Sequence, residues 1–462
     1  MPALESVFKA YDIRGTVPDQ LDASICRAIG TAFARFAGSR RILVGRDMRA
    51  SGEELSGAFA DGVRATGADV VDLGLVSTDL VYFASGRLES PAAMFTASHN
   101  PAGYNGIKLC LSGARPVGQD TGLDTLRRQA EDLLAEPASP APEGSRGDYE
   151  QVDLLEDYAA HVRSFVDVGG LRSLSVVADT ANGMGGLVVP KVFSALPLDV
   201  EVLFGELDGT FPNHPADPIQ PENLVDLKAA VVEGKADVGL AFDGDADRVF
   251  LVDELAQPVS GSLTTALVAA AMLEKHPGAT VLYNLICSKV VPETIEERGG
   301  VAVRTRVGHS FIKQVMAETG AVFGGEHSGH YYFRDNYRAD SGIIAALIVL
   351  EVLSRSDRSL SELLAPYRRY ADSGEINTVV DDPVGAVEAV ATTVAASGAP
   401  VDRTDGLTVD KGDWWFNLRP SNTEPLLRLN VEARTAEECE QRVAEVLDLV
   451  SRSSGAVRSG GR

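Results

Sequence analysis

Three acidic residues stand two positions apart in the segment DGDADR, directly after the apolar stretch VGLAF. Small residues separate Asp243, Asp245 and Asp247, and in an extended or loosely turned segment alternate side chains share one side. Three converging carboxylates repel one another unless a cation lies among them, and hard oxygen ligands suit Mg²⁺ or Ca²⁺. The segment lacks the later Glu of an EF-hand loop. An acidic surface turn is the simpler alternative, but the regular spacing after a strand favours a metal site.

A serine lies in a turn-forming segment, MFTASHNPAGYNGIK, at residues 94–108. Ser98 follows a short apolar run, Asn100 and Pro101 turn the chain, and Lys108 ends the segment with a positive charge. These features leave three roles for the serine: nucleophile, phosphate ligand or turn residue. The chain has neither a Gly-x-Ser-x-Gly elbow nor a GxxxxGK[ST] P-loop, which disfavours a hydrolase nucleophile and a P-loop kinase.

A second turn, RPSNTEP, combines the donors that hold a phosphate dianion. Its polar residues, with one arginine close behind them, are Arg419, Ser421, Asn422, Thr423 and Arg428. A plain turn or a helix N-cap is the alternative, but the strand-like WWFNLR before it favours a phosphate site. A serine, a divalent-metal loop and a separate phosphate loop together indicate phosphoryl transfer through a phosphoserine, with cations neutralising the transferring group.

Other polar groups are weaker signals. GEHSGH offers Glu326, Ser328 and His330 at alternate positions, which suits a hydroxylated sugar, although a structural histidine in a turn is equally compatible. VGHSFIK, just upstream, contributes His309 and Lys313. The remaining candidates are indistinguishable by themselves from ordinary surface residues: Lys9, Tyr11 and Arg14 in KAYDIRG, and Lys289 after VLYNLICS.

Apolar strands that alternate with helical stretches must position these loops. Three segments of the chain repeat the order strand, helix, strand, strand, and their third strands are PAAMF, ADVGLAF and AVFGG. This order predicts parallel or mixed α/β sheets. Each chemically rich loop follows a third strand, and ligands of open α/β sheets bind beyond the carboxyl ends of strands. We therefore expect the three domains to pool their loops in one site.

Linker composition divides the chain into four domains. A Pro-rich segment at 136–148 is the clearest break, and weaker breaks lie near 258–261 and 369–374. We predict four domains, each with one of the loops: 1–148 with the serine, 149–258 with the metal loop, 259–370 with the sugar loop and 371–462 with the phosphate loop.

Composition limits the partners of the chain. Its 462 residues carry a net charge of −24, which argues against nucleic-acid binding, and 45% apolar residues are typical of a soluble globular protein. The cysteines are isolated in the sequence, as in reduced cytosolic proteins. The N-terminus has no signal-peptide core, and the most apolar segments are too short to cross a bilayer. We expect a cytoplasmic protein without membrane partners.

The ordered set KAYDIRG, TASHNPAGYNGIK, DGDADR, GEHSGH and RPSNTEP resembles the α-D-phosphohexomutase superfamily, and within it the bacterial phosphomannomutase/phosphoglucomutase type. The resemblance covers nearly the whole chain. It implies an α/β fold of three similar α/β domains with mixed sheets between helices, plus a smaller C-terminal α+β domain. It also implies a monomer or weak homodimer that acts on small hexose phosphates.

The resemblance assigns roles to the matching residues. Ser98 would be phosphorylated and, with Asp243, Asp245 and Asp247, would bind one Mg²⁺ per subunit, with Arg248 beside them. Lys108 and His309 would handle protons or stabilise charge, and Arg14 and His99 would support the phosphoserine. Contacts to the sugar and to its unreacting phosphate would come from Tyr11, Lys289, Glu326, Ser328, His330, Arg419, Ser421, Asn422, Thr423 and Arg428.

The implied reaction interconverts hexose 6-phosphate and hexose 1-phosphate, of mannose or glucose, through a hexose 1,6-bisphosphate that also serves as activator. His327 stands where phosphoglucosamine mutases usually carry Gln, which makes that activity the less favoured alternative. A metal-dependent sugar phosphatase is a second alternative, because a phosphoserine open to water would hydrolyse.

Overall fold

The computed structural model describes residues 4–135, 146–396, 398–421 and 426–454. Contacts group the chain into two compact units. The larger unit comprises Met1–Ser260, Lys313–Phe323 and Ser328–Leu363, and the smaller unit comprises Gly261–Ile312, Gly324–His327 and Leu364–Arg462. The four cysteines are buried free thiols, as the sequence predicts. Within the described ranges, no helix has the length and hydrophobicity needed to cross a membrane.

The first sheet mixes parallel and antiparallel strands between helices. Its elements are β1 (Ile13–Thr16), α1 (Ala23–Ala37), β2 (Arg41–Arg46), α2 (Gly52–Arg64), β3 (Asp69–Leu75), α3 (Thr78–Arg87), β4 (Ala92–Phe95), β5 (Tyr104–Leu111), β6 (Arg115–Pro116), α4 (Leu123–Ala135) and β7 (Tyr149–Gln151). The strand order is β1-β5-β4-β2-β3-β7, with β6 beside β5. Strand β4 is parallel to β2 and antiparallel to β5. All of its residues are buried, which explains its unbroken apolar sequence.

The second sheet is likewise mixed. Its elements are α5 (Leu155–Arg163), β8 (Leu174–Asp179), α6 (Gly185–Phe193), β9 (Leu198–Leu203), α7 (Val225–Gly234), β10 (Val238–Phe242), β11 (Val249–Asp253) and β12 (Pro258–Val259). The strand order is β12-β11-β10-β8-β9. Strand β10 is central and buried along its whole length, and the polar segment DGDADR begins where the strand ends.

The third sheet has the strand order β14-β13-β15-β16. The elements of this part of the chain are α8 (Gly261–Lys275), β13 (Thr280–Asn284), α9 (Val290–Glu297), β14 (Val301–Thr305), α10 (His309–Thr319), β15 (Phe323–Gly325), β16 (Tyr331–Phe333), α11 (Gly342–Ser354) and α12 (Leu360–Leu364). Strands β13 and β14 are parallel, as expected for a strand–helix–strand connection.

The fourth sheet is antiparallel throughout. Its elements are β17 (Ala371–Val379), α13 (Pro383–Ala396), β18 (Val401–Asp402), β19 (Leu407–Asp410), β20 (Trp415–Pro420), β21 (Leu426–Ala433) and α14 (Ala436–Ser454), and the strand order is β17-β21-β20-β19-β18. Helices α13 and α14 pack together with its strands. The predicted fold class, three α/β domains and a smaller α+β domain, is confirmed.

Candidate active site

Ser98 lies three residues beyond the end of β4 and is almost fully buried. Its Oγ donates a hydrogen bond to Asp243 Oδ2 over 2.7 Å and accepts one from Arg248 Nη2 over 2.9 Å. Its backbone N–H donates to Thr96 Oγ1 over 2.9 Å. The serine hydroxyl therefore touches one acidic and one basic side chain of the segment DGDADR.

The three carboxylates of DGDADR converge as the spacing predicts. Oxygen atoms of Asp243, Asp245 and Asp247 all lie within 4.8 Å of one another, and all three residues are buried. Asp245 Oδ1 and Asp247 Oδ1 accept no hydrogen bond within the described part of the chain. Carboxylate oxygens left without a partner in a buried site are costly unless a cation lies among them. The donor set thus fits a hard divalent metal ion.

Lys108, on β5, supplies a fixed positive charge to this cluster. Its Nζ donates to Asp245 Oδ2 over 2.8 Å and to Asp247 Oδ2 over 2.6 Å. Burial lowers the pKa of the ammonium, but the two carboxylates outweigh burial, and the net pKa lies well above the usual value. For Asp245 burial likewise opposes Lys108, and the net effect lowers the carboxyl pKa. Both partners therefore remain charged at neutral pH.

Asp243 differs from Asp245 because burial dominates its titration. Burial raises its pKa to about 8, although Arg248 acts in the opposite direction. Arg248 Nε donates to Asp243 Oδ2 over 2.8 Å, and Arg248 Nη2 also donates to His99 Nδ1 over 2.5 Å. The guanidinium and burial hold the pKa of His99 well below its usual range. His99 is therefore a neutral acceptor beside the serine.

Strand β1 is the edge strand of the first sheet and pairs with β5, beside the serine loop, the segment between β4 and β5 that carries Ser98. Arg14 Nη1 donates to Asn100 Oδ1, and Arg14 Nη2 donates to Asp12 Oδ2, each over 2.5 Å. Tyr11 is half-buried in the bend before β1. The structure thus brings Arg14 to the loop that carries Ser98, and Arg14 has one carboxylate and one amide as partners.

The loop after β15 contributes Ser328 and His330. Ser328 Oγ lies 3.1 Å from His330 Nδ1, and His330 Nε2 lies 3.7 Å from Asp247 Oδ1. Asp247, His330 and Asp340 form a second cluster whose ligand atoms lie within 4.8 Å of one another. The buried Lys313, noted in the sequence only for its place after a strand, pairs with Asp340 over 2.8 Å.

Two residues of the acidic clusters lie outside the motifs that the sequence analysis singled out. Thr78 begins α3, and its Oγ1 donates to Asp245 Oδ2 over 2.6 Å. Asp340 precedes α11 and joins the second cluster. The position of Thr78, immediately after the second strand of the first repeat, was the available signal, because loops at that sheet edge converge.

The smaller unit holds the remaining candidates. Glu326 is buried, and its Oε1 accepts hydrogen bonds from Asn284 Nδ2 over 3.1 Å and from the Gly308 N–H over 3.3 Å. Lys289 precedes α9, and its Nζ donates to Asp410 Oδ1 over 2.7 Å. His309 begins α10, and its side chain lies outside the described part of the structure.

The predicted phosphate loop connects β20 to β21. Arg419 and Arg428 stand directly opposite each other in the antiparallel register of these strands. Both pair with Glu375: the distances are 2.9 Å from Arg419 Nη2 and 3.5 Å from Arg428 Nε. The N–H of Ser421 donates to the Leu426 carbonyl over 2.8 Å. Two further candidates lie outside the described residues: Asn422 and Thr423.

The guanidinium groups of Arg419 and Arg428 are incompletely hydrogen-bonded within the described residues. Neither Arg419 Nε nor Arg428 Nε has a hydrogen-bond partner within the described ranges, although both atoms are buried. A single carboxylate, on Glu375, faces both guanidinium groups. An oxyanion with several acceptor oxygens would complete these donors better than one carboxylate does.

Comparison with known proteins covers most of the chain. Models of the four domains of the phosphoglucomutase/phosphomannomutase family match it: α/β/α domain I at residues 5–134, α/β/α domain II at 156–256, α/β/α domain III at 260–370 and the C-terminal domain at 375–449.

Individual proteins give the same result. The chain is 41% identical to "Phosphohexose mutases" of Xanthomonas campestris pv. campestris, over 96% of this chain and 98% of that protein. It is 41% identical to a phosphomannomutase of Escherichia coli (strain K12), over 92% of this chain and 94% of that protein. A solved structure of a phosphoglucomutase/phosphomannomutase family protein from Burkholderia thailandensis has a TM-score of 0.88 and 34% identity, covering 98% of this chain and 99% of that one.

Proposed function

The chain belongs to the phosphoglucomutase/phosphomannomutase family, and from that premise we propose that it is a phosphohexomutase acting through Ser98. It interconverts the 1-phosphate and the 6-phosphate of mannose, glucose or both. The observation that carries the proposal is the pair of hydrogen bonds at Ser98 Oγ, which donates to Asp243 Oδ2 and accepts from Arg248 Nη2. An acceptor for the serine proton and a cation for phosphoryl oxygens thus meet at one hydroxyl group.

The reaction consists of two phosphoryl transfers. In the first, the phosphorus–oxygen bond of phosphoserine 98 breaks and a new one forms to the free hydroxyl of the hexose monophosphate, giving a hexose 1,6-bisphosphate. The bisphosphate then reorients in the site without leaving. Ser98 Oγ attacks its other phosphoryl group, and the second product leaves. Asp243 Oδ2, which accepts the serine proton over 2.7 Å, is in place to take that proton as Oγ attacks.

Fixed cations stabilise the transferring group. Arg248 Nη2 lies 2.9 Å from Ser98 Oγ, and the raised pKa of Lys108 keeps its ammonium charged beside Asp245 and Asp247. A group held permanently charged is better suited to stabilising charge than to exchanging protons. Of the two roles open to Lys108, we therefore assign charge stabilisation. His99 and Arg14 hold the loop around the serine.

The metal is Mg²⁺, one per subunit, held by Asp243, Asp245 and Asp247 together with the phosphorylated Ser98. The Oδ1 atoms of Asp245 and Asp247, which accept no hydrogen bond within the described residues, support this ligand set. When bound, the ion supplies neutralisation of the charge that develops on the transferring phosphoryl group. Hexose 1,6-bisphosphate acts as activator, because it can phosphorylate Ser98 in enzyme molecules that have lost their phosphoryl group.

Substrate contacts come from the other loops. The phosphate that does not react is held by Arg419, Ser421, Asn422, Thr423 and Arg428, and the Nε donor of Arg419, which lacks a hydrogen-bond partner within the described residues, supports this role. The sugar hydroxyls are read by Glu326, Ser328 and His330, with Lys289 and Tyr11 as further substrate contacts and His309 as a charge-stabilising group. The enzyme works in the cytoplasm on small hexose phosphates, as a monomer or weak homodimer.

A substrate panel tests the proposal. The purified protein, with Mg²⁺ and a trace of hexose 1,6-bisphosphate, is given mannose 1-phosphate, glucose 1-phosphate or glucosamine 6-phosphate. We expect isomerisation of the mannose or the glucose ester, loss of activity with a chelator, and one added phosphoryl group in the intact mass. Turnover of glucosamine 6-phosphate alone would favour a phosphoglucosamine mutase. Steady release of inorganic phosphate without isomerisation would identify a phosphatase instead.

A further inference from the structure

Ser98 has a backbone conformation that L-residues seldom adopt. Its φ is +50°, in the left-handed region, where the Cβ atom crowds the following peptide. Such a conformation persists only where its surroundings over-determine it. One restraint is the hydrogen bond from the Ser98 N–H to Thr96 Oγ1. Another is close packing, because a Cβ atom on Gly244 would lie 2.5 Å from the Ser98 carbonyl oxygen.

A buried arginine supplies further restraints. Arg49 follows β2 in the sequence RDMR, and its side chain has no solvent exposure. Its Nη1 and Nη2 donate four hydrogen bonds of 2.7–2.9 Å to backbone carbonyl groups, three in the serine loop at Ser98, Asn100 and Pro101 and one at Tyr104, the first residue of β5. Its Nε donates to Asp47 Oδ2 over 3.2 Å. The ring of Phe211 covers the guanidinium, with the Cζ atom 5.2 Å from the ring centroid.

These five hydrogen bonds use every N–H donor of the Arg49 side chain. A guanidinium has five N–H donors in a rigid plane, and here each has its own acceptor. A lysine offers three donors from one flexible point and cannot reproduce this pattern. Three of the five acceptors belong to the loop that presents Ser98 and a fourth is Tyr104, where β5 begins, so the plane of the guanidinium sets the course of that loop.

We propose that Arg49 is a positioning residue for phosphoryl transfer, which aims the Ser98 hydroxyl at Asp243 and Arg248 by holding the carbonyl groups of the serine loop. The proposal rests on the proposed function of Ser98. Arg49 touches no reacting atom. Its effect passes through the peptide after Ser98, whose carbonyl oxygen accepts from Arg49 Nη2 over 2.8 Å. A serine displaced by about 1 Å from its in-line position loses about 100-fold in transfer rate.

The test compares Arg49→Lys with Arg41→Lys. Arg41 begins the same strand, β2, but donates to the Leu88 carbonyl and to Ser90 Oγ, away from the serine loop. Both variants are loaded with phosphate from hexose 1,6-bisphosphate, and the phosphorylated fraction is counted by intact mass. The single-turnover rate of transfer to mannose 1-phosphate or glucose 1-phosphate, whichever the wild type isomerises, is then measured per phosphorylated molecule.

We expect Arg49→Lys to lose about 100-fold in this rate and in kcat, with KM changed by less than about threefold. Arg41→Lys keeps the wild-type rate. Arg49→Lys with a rate within threefold of the wild type, or with a loss that tracks only the unfolded fraction, overturns the proposal.

A milder variant covers the case in which Arg49→Lys does not fold. In Phe211→Leu the guanidinium loses its covering ring but keeps its five acceptors, so we expect a smaller fall in kcat at unchanged KM. An unchanged kcat in Phe211→Leu, alongside unfolded Arg49→Lys, also overturns the proposal. Failure of the proposed function would appear differently, as a wild-type protein without phosphorylated Ser98 or isomerisation.

Discussion

The basic side chains around Ser98 and those of the phosphate loop differ in how their charges are neutralised. Lys108 is 8% exposed and pairs with two carboxylates that are almost fully buried. Arg419 and Arg428 share one carboxylate, Glu375, which is 31% exposed. Lys108 therefore has two buried carboxylates as partners. The arginine pair has a single partner that water can reach, and the Nε donor of Arg419 has no hydrogen-bond partner within the described residues.

Under the proposed function, this difference distinguishes the residues that act in phosphoryl transfer from those that bind the phosphate of the substrate. A charge with rigid buried partners needs no rearrangement when a transition state forms, so it acts mainly on kcat. Under the proposed function, donors that are only partly occupied in the free protein would exchange Glu375 for the phosphate of a substrate, so we expect them to act mainly on KM. Substitutions in the two regions should therefore have different kinetic signatures, and four predictions test whether they do.

The largest effect is expected from Ser98→Ala. Without the hydroxyl there is no phosphoryl carrier, and we expect kcat to fall by more than about 10⁴-fold. The measurement is mutase turnover together with intact mass, which should lack the added phosphoryl group. Ser194→Ala, at an exposed serine beyond the end of α6, is the control and should retain full activity. Substantial turnover by Ser98→Ala would remove the basis for separating the two regions.

Lys108→Met should have the next largest effect. The methionine keeps the apolar stem but removes the charge between Asp245 and Asp247, and we expect kcat to fall about 10²- to 10³-fold at similar KM. Steady-state kinetics at saturating Mg²⁺ measures the change. Lys191→Met removes an exposed ammonium that pairs with Glu156 and should change neither constant. A rise in KM without a fall in kcat would assign Lys108 to binding.

The effect of pH on Mg²⁺ binding should be intermediate in size among these predictions. The pKa of Asp243 is about 8 because of burial, so its carboxyl group is protonated at neutral pH without metal and must release that proton to a bound cation. We expect the apparent Mg²⁺ dissociation constant to fall about tenfold per pH unit between about pH 6 and 7.5. Calorimetric titration in buffers of different ionisation enthalpy measures the proton released. An affinity independent of pH would contradict the prediction.

The same titration gives the sign of the stability change. Between the usual carboxyl pKa of about 4 and a pKa of about 8, the folded metal-free protein holds a proton on Asp243 that the unfolded chain has released. The unfolded state binds fewer protons there, so the stability of the metal-free protein falls as pH rises through this range. Thermal unfolding with and without Mg²⁺ should show the decline only in the chelated protein.

The smallest effect is expected from Glu375→Gln. The substitution removes the competing carboxylate from Arg419 and Arg428, and we expect KM for the hexose phosphate to decrease about two- to fivefold at unchanged kcat. Glu388→Gln breaks a comparable exposed pair, with Arg403 on the same antiparallel domain, and serves as the control. An increase in KM would mean that Glu375 positions the arginines for phosphate instead of competing with it.

Local sequence patterns predicted the strands and the acidic cluster. Each third strand is buried in its sheet, as β4 and β10 illustrate, so its residues form an unbroken apolar run and the polar loop begins where burial ends. Asp243, Asp245 and Asp247 converge as predicted, but on a turn closed by the Ala246 N–H to Asp243 carbonyl bond, with Ala246 at a φ of +61°, and not on extended backbone. These features depend on neighbours in sequence, which is why one chain sufficed to predict them.

Partners from distant strands could not be predicted in this way. Arg49 reaches carbonyl groups 49–55 residues away, and nothing in the sequence RDMR indicates which backbone it will hold. Likewise, Glu375 lies on β17, and it faces Arg428 on the neighbouring strand β21 and Arg419 on β20, the next strand of the sheet. Strand order decides such contacts, and strand order is a property of the assembled sheet.

The bond between Ser98 Oγ and Asp243 joins residues that are 145 positions apart in the chain. Contacts of such long sequence separation form late in folding, because the entropy of closing the intervening loop must be overcome first. During synthesis the serine loop leaves the ribosome well before the acidic segment exists. A nascent chain with only its first domain folded therefore holds a serine with an ordinary hydroxyl reactivity. The hydrogen bonds of Ser98 Oγ are therefore complete only when the second sheet, which carries Asp243 and Arg248 between β10 and β11, packs against the first.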